Sequence, residues 1–217
     1  MAFTTQGPAR RSLTPKGQAT RDRIVAAAAR LIFEKGAAET TTEDVRAAAG
    51  ISFSQLYHYF EDKPALIRAV IVHQADALLA RQEEFLGRLD SMRALRAWRD
   101  FLVEVQRQAH CEGGCPLGTL SIELSEISAD ARRDLLYGFA RWEDGIRTGL
   151  RAMHERGELK ADADPDRLAL ATLAAVQGGL LLTQVRRETA PLEAALDTVL
   201  AHIESSMATS GAAKAVS

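Results

Sequence analysis

Residues 41–63 read TTEDVRAAAGISFSQLYHYFEDK, and the organisation of the chain follows from them. Thr41 is placed to cap a helix, with Asp44 three residues on to close a capping box. Val45, Ala48 and Ala49 fall on one helical face. Gly50 supplies the left-handed residue that ends the helix. Ile51 can turn back into the core, and Ser52 opens a second capping box with Gln55. Two short helices and a glycine turn thus fit into about twenty residues, the helix-turn-helix plan in which the second helix enters a major groove.

Leu56 and Phe60, four residues apart, anchor that second helix inward. Phe53, Ser54, Gln55, Tyr57, His58 and Tyr59 are left facing out or sideways. Gln can read adenine with two hydrogen bonds, Ser can contact any base, and an apolar ring can meet a thymine methyl. Tyr and Lys tips suit phosphate oxygens. A helix with amphipathic aromatics, half buried in an ordinary bundle, would show the same spacing.

Around this stretch, TRDRIVAAAARLIFEKG and TTTEDVRAAAGISFSQLYHYFEDKPAL (residues 20–66) resemble the N-terminal DNA-binding domain of the TetR/AcrR family of bacterial repressors. The glycine-turn spacing, the LYHYF run and Lys63 carry the resemblance, over about a quarter of the chain. It implies that Phe53, Ser54 and Gln55 read bases, and that Thr41, Thr42, Tyr57, His58, Tyr59 and Lys63 hold phosphates of double-stranded operator DNA. GCPLGTLSIEL with FARWEDGIRTGL resembles, more softly, a drug- and flavonoid-responsive subgroup.

The 217 residues are 47% hydrophobic and 26% charged, enough to fill a core in an ordinary soluble mix. Ala and Leu abound and β-branched runs are scarce, so the class is all-α. The net charge of −2 argues against a wholesale basic nucleic-acid binder. Its distribution is uneven: residues 1–35 hold seven Arg or Lys against two acidic residues, net +5, leaving −7 elsewhere. A basic end on an acidic body suits a DNA-reading head with a different task behind it. Met1–Thr14 has no apolar secretory core, so a cytoplasmic chain with reduced Cys111 and Cys115 is expected.

Residues 1–13 read as a flexible basic arm, in which Arg10 and Arg11 can reach DNA or stay solvated. The DNA-binding domain spans 14–62, with Thr14 and Pro15 starting its first helix. A ligand-binding and dimerisation domain spans 63–206, and 207–217 form a disordered tail. About nine helices are expected. One runs from Lys63 to about Leu89. The family resemblance implies that it carries ligand-driven movement to the head. Others cover about Ser91–His110, Leu117–Ser125 and Ala129–Arg156, the last with Leu135, Leu136, Phe139, Trp142, Ile146, Leu150 and Met153 on one face. Leu168–Val185 is an uncharged run at the short edge of a membrane span. Its Gln and Thr residues favour a helix buried on all sides instead. Leu170, Leu173, Ala174, Gln177 and Leu181 are assigned to the protomer core.

The expected dimer interface is Leu168, Thr172, Ala175, Gly179 and Leu182, with Leu196 and Val199 from the last helix. The resemblance makes the last two helices of each subunit a four-helix interface. The expected pocket for a small apolar or aromatic effector is Trp98, Phe101, Cys115, Leu120, Phe139, Trp142, Ile146, Gln177 and Leu181, residue types that line ligand sites and ordinary cores alike. His110, Cys111 and Cys115 give at most three metal ligands on a glycine-rich turn, short of a structural zinc site. No nucleophile motif, paired catalytic carboxylates or phosphate-cradling loop appears, so no metal, no cofactor and no enzyme are expected. The reading is a homodimeric, ligand-responsive repressor. Its rivals are a DNA-binding regulator without a small-molecule ligand and an all-α enzyme.

Overall fold

The computed structural model describes residues 13–208, which form ten helices and no strand beyond an isolated bridge between Leu159 and Met207. The expected arm falls almost wholly outside the described residues, as do residues 209–217. Met207 and Ala208, expected in the tail, are still held by that bridge and by Ala208 N–H donating to Glu158 O at 2.8 Å.

The chain divides into two compact units between Val70 and Ile71, eight residues inside a helix and not at 62/63. The first unit holds α1 (Pro15–Glu39), α2 (Thr42–Ala49), α3 (Phe53–Tyr59) and the start of α4 (Lys63–Ala80). Thr14 caps α1 by accepting from Gly17 N–H, with proline at the first helical position. The helix is interrupted at Gly36, whose φ of 86° leaves a single further turn. Ile24, Ala28 and Ile32 of α1, Val45 and Ala49 of α2, and Leu56 and Phe60 are buried together as this unit's core. Asp62 Oδ1 accepts from Ala65 N–H at 2.7 Å and so starts α4.

The second unit continues α4 and adds α5 (Glu83–Leu86), α6 (Met92–Gln108), α7 (Pro116–Leu124), α8 (Ala129–Glu155), α9 (Pro165–Arg186) and α10 (Ala190–Ser205). The helix expected to reach Leu89 stops at Ala80. Buried Gln82 breaks it: the side chain donates to Leu78 O at 3.3 Å and accepts from Trp98 Nε1 at 2.9 Å. Satisfying an indole N–H in the core outweighs one more helical turn. Leu95, Trp98, Trp142, Ile146, Leu150, Leu192 and Ile203 form the centre. Leu136 departs from the face expected of α8 and is exposed, while Phe139 is half-buried. At the rim Arg99 grips Asp197 of α10 through two hydrogen bonds, at 2.8 and 2.9 Å.

Among the described residues α9 is the one helix long and apolar enough to cross a membrane. It packs on α8 and α10, yet it is not enclosed on all sides: Leu170, Leu181, Leu182 and Val185 are exposed.

Two glycines set how closely these helices approach. A Cβ at Gly149 would sit 2.1 Å from Leu89 O, and one at Gly179 would sit 2.9 Å from Leu192 Cα. Both obstacles are backbone, of the segment between α5 and α6 at Leu89 and of α10 at Leu192, so these elements must move apart. Gly149→Ala is expected to cost about 1–3 kcal/mol, lowering Tm by several degrees in thermal unfolding; an unchanged Tm would mean that α8 yields freely at Leu89.

Candidate nucleic-acid interface and ligand cavity

Both capping boxes of the first unit close in full. Thr41 N–H donates to Asp44 Oδ2 (2.9 Å) and Asp44 N–H to Thr41 Oγ1 (3.1 Å). Ser52 N–H donates to Gln55 Oε1 (3.0 Å) and Gln55 N–H to Ser52 Oγ (3.1 Å). Between them Gly50 takes the left-handed conformation, φ 63° and ψ 44°. Each box supplies about 1 kcal/mol and removes two orphan donors from a helix start.

These devices leave Phe53, Ser54, Gln55, Tyr57 and His58 exposed on α3, with Tyr59 half-buried. Phe53, 42% exposed, stacks on Tyr57 with ring centroids 6.2 Å apart, and the Arg46 guanidinium lies over the Phe53 ring, 5.2 Å from its centroid. Arg46 was not foreseen at this face. Its position on the last turn of α2, seven residues before Phe53, carried the hint. Gln55 Oε1 serves the cap. Reading adenine with both ends of the amide then needs the second lone pair of that oxygen.

Thr41 is exposed and Thr42 half-buried at the start of α2. Lys63 is half-buried and donates to Ala38 O at 3.1 Å, which leaves its other ammonium hydrogens for a phosphate. Lys35 donates to Asp44 Oδ2 at 2.7 Å. That bond, and then the Thr41 hydroxyl and backbone N–H, hold the Asp44 carboxyl well below its ordinary value.

The second unit contains a cavity of about 130 Å³. Its wall is Gln74, Ala77, Leu78, Arg81 and Gln82 from α4 and the turn after it, and Phe101, Leu102, Val105 and Gln106 from α6. Gly114, Cys115 and Pro116, Trp142 and Leu180 complete it. Of the residues expected to line a pocket, Phe101, Cys115 and Trp142 do so. Trp98, Leu120 and Ile146 are buried in the core away from it, Phe139 and Gln177 lie elsewhere half-buried, and Leu181 is exposed. On α9 the wall residue is Leu180, one position round the helix. Gln106 was missed, although a lone glutamine at i+4 from Leu102 and i+8 from Trp98 sits on an otherwise apolar face.

The loop bringing Cys115 to the cavity is left-handed at His110, Cys111, Gly113 and Gly114. A Cβ at Gly114 would meet only the movable Gln184 side chain, so the positive φ of 58° is what favours glycine there. Cys115 caps α7, with Gly118 N–H donating to Sγ at 3.4 Å. Burial pushes its thiol above the ordinary range. The cysteine is therefore a protonated capping group at neutral pH.

The residues assigned to a partner are largely spent inside the chain. Leu168, Thr172, Gly179, Leu196 and Val199 are buried and Ala175 is half-buried. Small residues on α9 do permit a close helix approach, but the approaching helix is α10 of the same chain, and Leu192 N–H donates to Thr183 Oγ1 at 3.2 Å. Leu182 alone of that set on α9 faces out. Leu170, Ala174 and Leu181, assigned to the core, are exposed beside it.

Residues 24–70 match the bacterial regulatory proteins of the tetR family, and residues 91–199 match the tetracyclin repressor-like C-terminal domain. The chain belongs to the TetR family of transcriptional regulators. It is 30% identical over 193 residues to an uncharacterised HTH-type transcriptional regulator of Lactococcus lactis subsp. lactis, covering 85% of this chain and 93% of the relative. It is 26% identical to the HTH-type transcriptional repressor DhaR of Mycobacterium sp. (strain GP1), covering 82% and 89%. A solved TetR transcriptional regulator from Chloroflexus aurantiacus superposes with a TM-score of 0.76 at 28% identity, covering 89% of this chain and 98% of that one. This TetR regulator is thus a helix-turn-helix DNA-binding protein.

The depressed Asp44 carboxyl gives a pH dependence with a definite sign. It stabilises the head above the unfolded value, near 3.8, and that contribution is lost as pH falls from there toward the lower folded value. In urea unfolding followed by circular dichroism, stability should fall below about pH 4, and Asp44→Asn should flatten the fall. Parallel profiles for the two proteins would remove Asp44 from the account.

Proposed function

We propose that this TetR-family regulator is a homodimeric repressor, released from a near-palindromic operator by a small apolar or aromatic molecule bound in its second unit. The observation that carries the reading is the joint presence of a capped, exposed recognition helix and an apolar cavity, with α4 contributing to both units. Phe53, Ser54 and Gln55 read bases. Thr41, Thr42, Tyr57, His58, Tyr59 and Lys63 contact phosphates, and Arg46 stiffens Phe53. A two-fold dimer requires a two-fold operator, with half-sites about 34–36 Å apart or somewhat more.

The α4 residues Gln74, Ala77 and Leu78 form part of the cavity wall. A ligand that prefers one position of α4 shifts the heads toward a spacing that no longer fits. Such coupling is typically about 1–3 kcal/mol. The dimer forms through the exposed side of α9, where Leu170, Ala174, Leu181, Leu182 and Val185 lie on neighbouring turns. An apolar stripe of that kind on an acidic body suits a partner surface better than water.

Footprinting of the DNA upstream of the coding region tests the reading first. A protected two-fold site of about two helical turns is expected; only weak, sequence-blind protection would point away from this operator. Gln55→Glu separates the two duties of Gln55, because glutamate keeps the capping box. Its Tm should match the parent's while preference changes at one base pair per half-site; an unaltered ranking of operator variants would make Gln55 a cap alone. Leu181→Arg, at an exposed position, should leave a folded monomer in sedimentation with little operator affinity. A variant that remains dimeric would move the interface elsewhere.

A further inference from the structure

The cavity wall and the core directly behind it carry two pairs of like side chains whose members differ in one respect: Gln82, Gln106 and Trp142 line the cavity, and Trp98 lies behind it against Gln82. Trp98 and Trp142 are both buried, 0% and 1% exposed. The Trp98 indole donates to Gln82 Oε1, whereas Trp142 Nε1 has no hydrogen-bond partner within the protein. Gln82 and Gln106 are likewise both buried on this wall. Gln82 is engaged at both ends, by Trp98 and by Leu78 O, whereas Gln106 Oε1 has no partner. An unpaired buried polar atom is costly enough that such atoms are rare in native proteins. Two on the side chains that line a single cavity are explained together if a ligand completes them.

We infer that the effector is an uncharged, hydroxylated aromatic molecule of about phenol size, held by Gln106 and Trp142. The inference rests on the reading that this cavity receives the effector. Size comes from the volume of about 130 Å³, comparable to the engineered cavity of about 150 Å³ that takes up benzene in another protein. Flatness comes from the Phe101 and Trp142 rings on the wall. Charge is excluded by the lining. No Asp or Glu stands there to neutralise a cation, and the one charged residue, Arg81, is solvent-exposed, where its attraction for an anion is screened. A carboxylate would moreover bring no donor to Gln106 Oε1. A hydroxyl both donates and accepts, so it serves Trp142 N–H and suits the Gln106 amide whichever way that amide is turned.

The test is isothermal titration of the purified full-length protein with phenol, benzene and benzoate. Phenol should bind about tenfold tighter than benzene. Gln106→Leu should erase most of that ratio while benzene still binds, and retained benzene uptake shows that the variant's cavity is folded. Trp142→Phe should reduce the ratio in part and carries the test if Gln106→Leu fails to fold. Equal affinity for phenol and benzene, a ratio that survives both substitutions, or a preference for benzoate would overturn the inference while leaving a ligand cavity. Binding of none of the three would overturn both the inference and the effector role of the cavity. Release of operator DNA is measured separately. Phenol binding without release would uphold the chemistry assigned here and refute the coupling.

Discussion

Every helix begins with backbone N–H groups that have no partner in the helix, and the ten helices of the described residues meet that cost ten times. This protein meets it locally. Thr14, Thr41, Ser52, Asp62, Ser91, Ser128 and Asp164 each accept from a backbone N–H two or three residues on, and Cys115 does so with sulfur. Where eight of the ten described helices start is therefore decided by single residues, while α5 and α10 have no side-chain cap. The position of α3 depends on this most directly. With caps at Thr41 and Ser52 and a left-handed Gly50 between them, α2 and α3 have little freedom in the angle at which they meet.

The same economy makes several groups serve twice. Asp44 closes a cap and pairs with Lys35; Gln55 closes a cap on the exposed face of α3; Lys63 ties down Ala38 at the start of α4. Shared duties narrow what evolution or mutation can change without cost. They also explain why a substitution in such a head is informative only when the replacement preserves one of the two roles.

In the second unit the governing event is the burial of two tryptophans among helices that must also satisfy two indole N–H groups. Gln82 leaves the helical path to serve Trp98 and so ends α4. Trp142 is left without such a partner on the cavity wall. The elements that define the cavity and the break in α4 are thus one arrangement. The packing of α9 follows a comparable logic: Gly179 lies against Leu192 of α10, Leu168, Leu173, Val176 and Leu180 are buried, and Leu170, Leu181, Leu182 and Val185 remain outside.

Residues 41–63 by themselves determined the head: both capping boxes, the glycine turn, the inward Leu56 and Phe60 and the outward polar set on α3 were all legible. Helix starts elsewhere were legible too, at Thr14, Ser91 and Ala129 and to within one residue at Leu117, whereas α9 starts at Pro165, three residues before the expected Leu168. The reason is that caps and turns act over three or four residues, so the chain carries the whole cause within reach. Tertiary structure alone decided which side of α9 is enclosed, because a helix with apolar residues all round has no preferred face in its sequence. It also decided that Leu180 and Gln106, and not Leu181 and Gln177, meet the cavity, and that α4 stops at Ala80. Those outcomes depend on partners far along the chain, such as Leu192 for Gly179 and Trp98 for Gln82, and only packing brings those residues together.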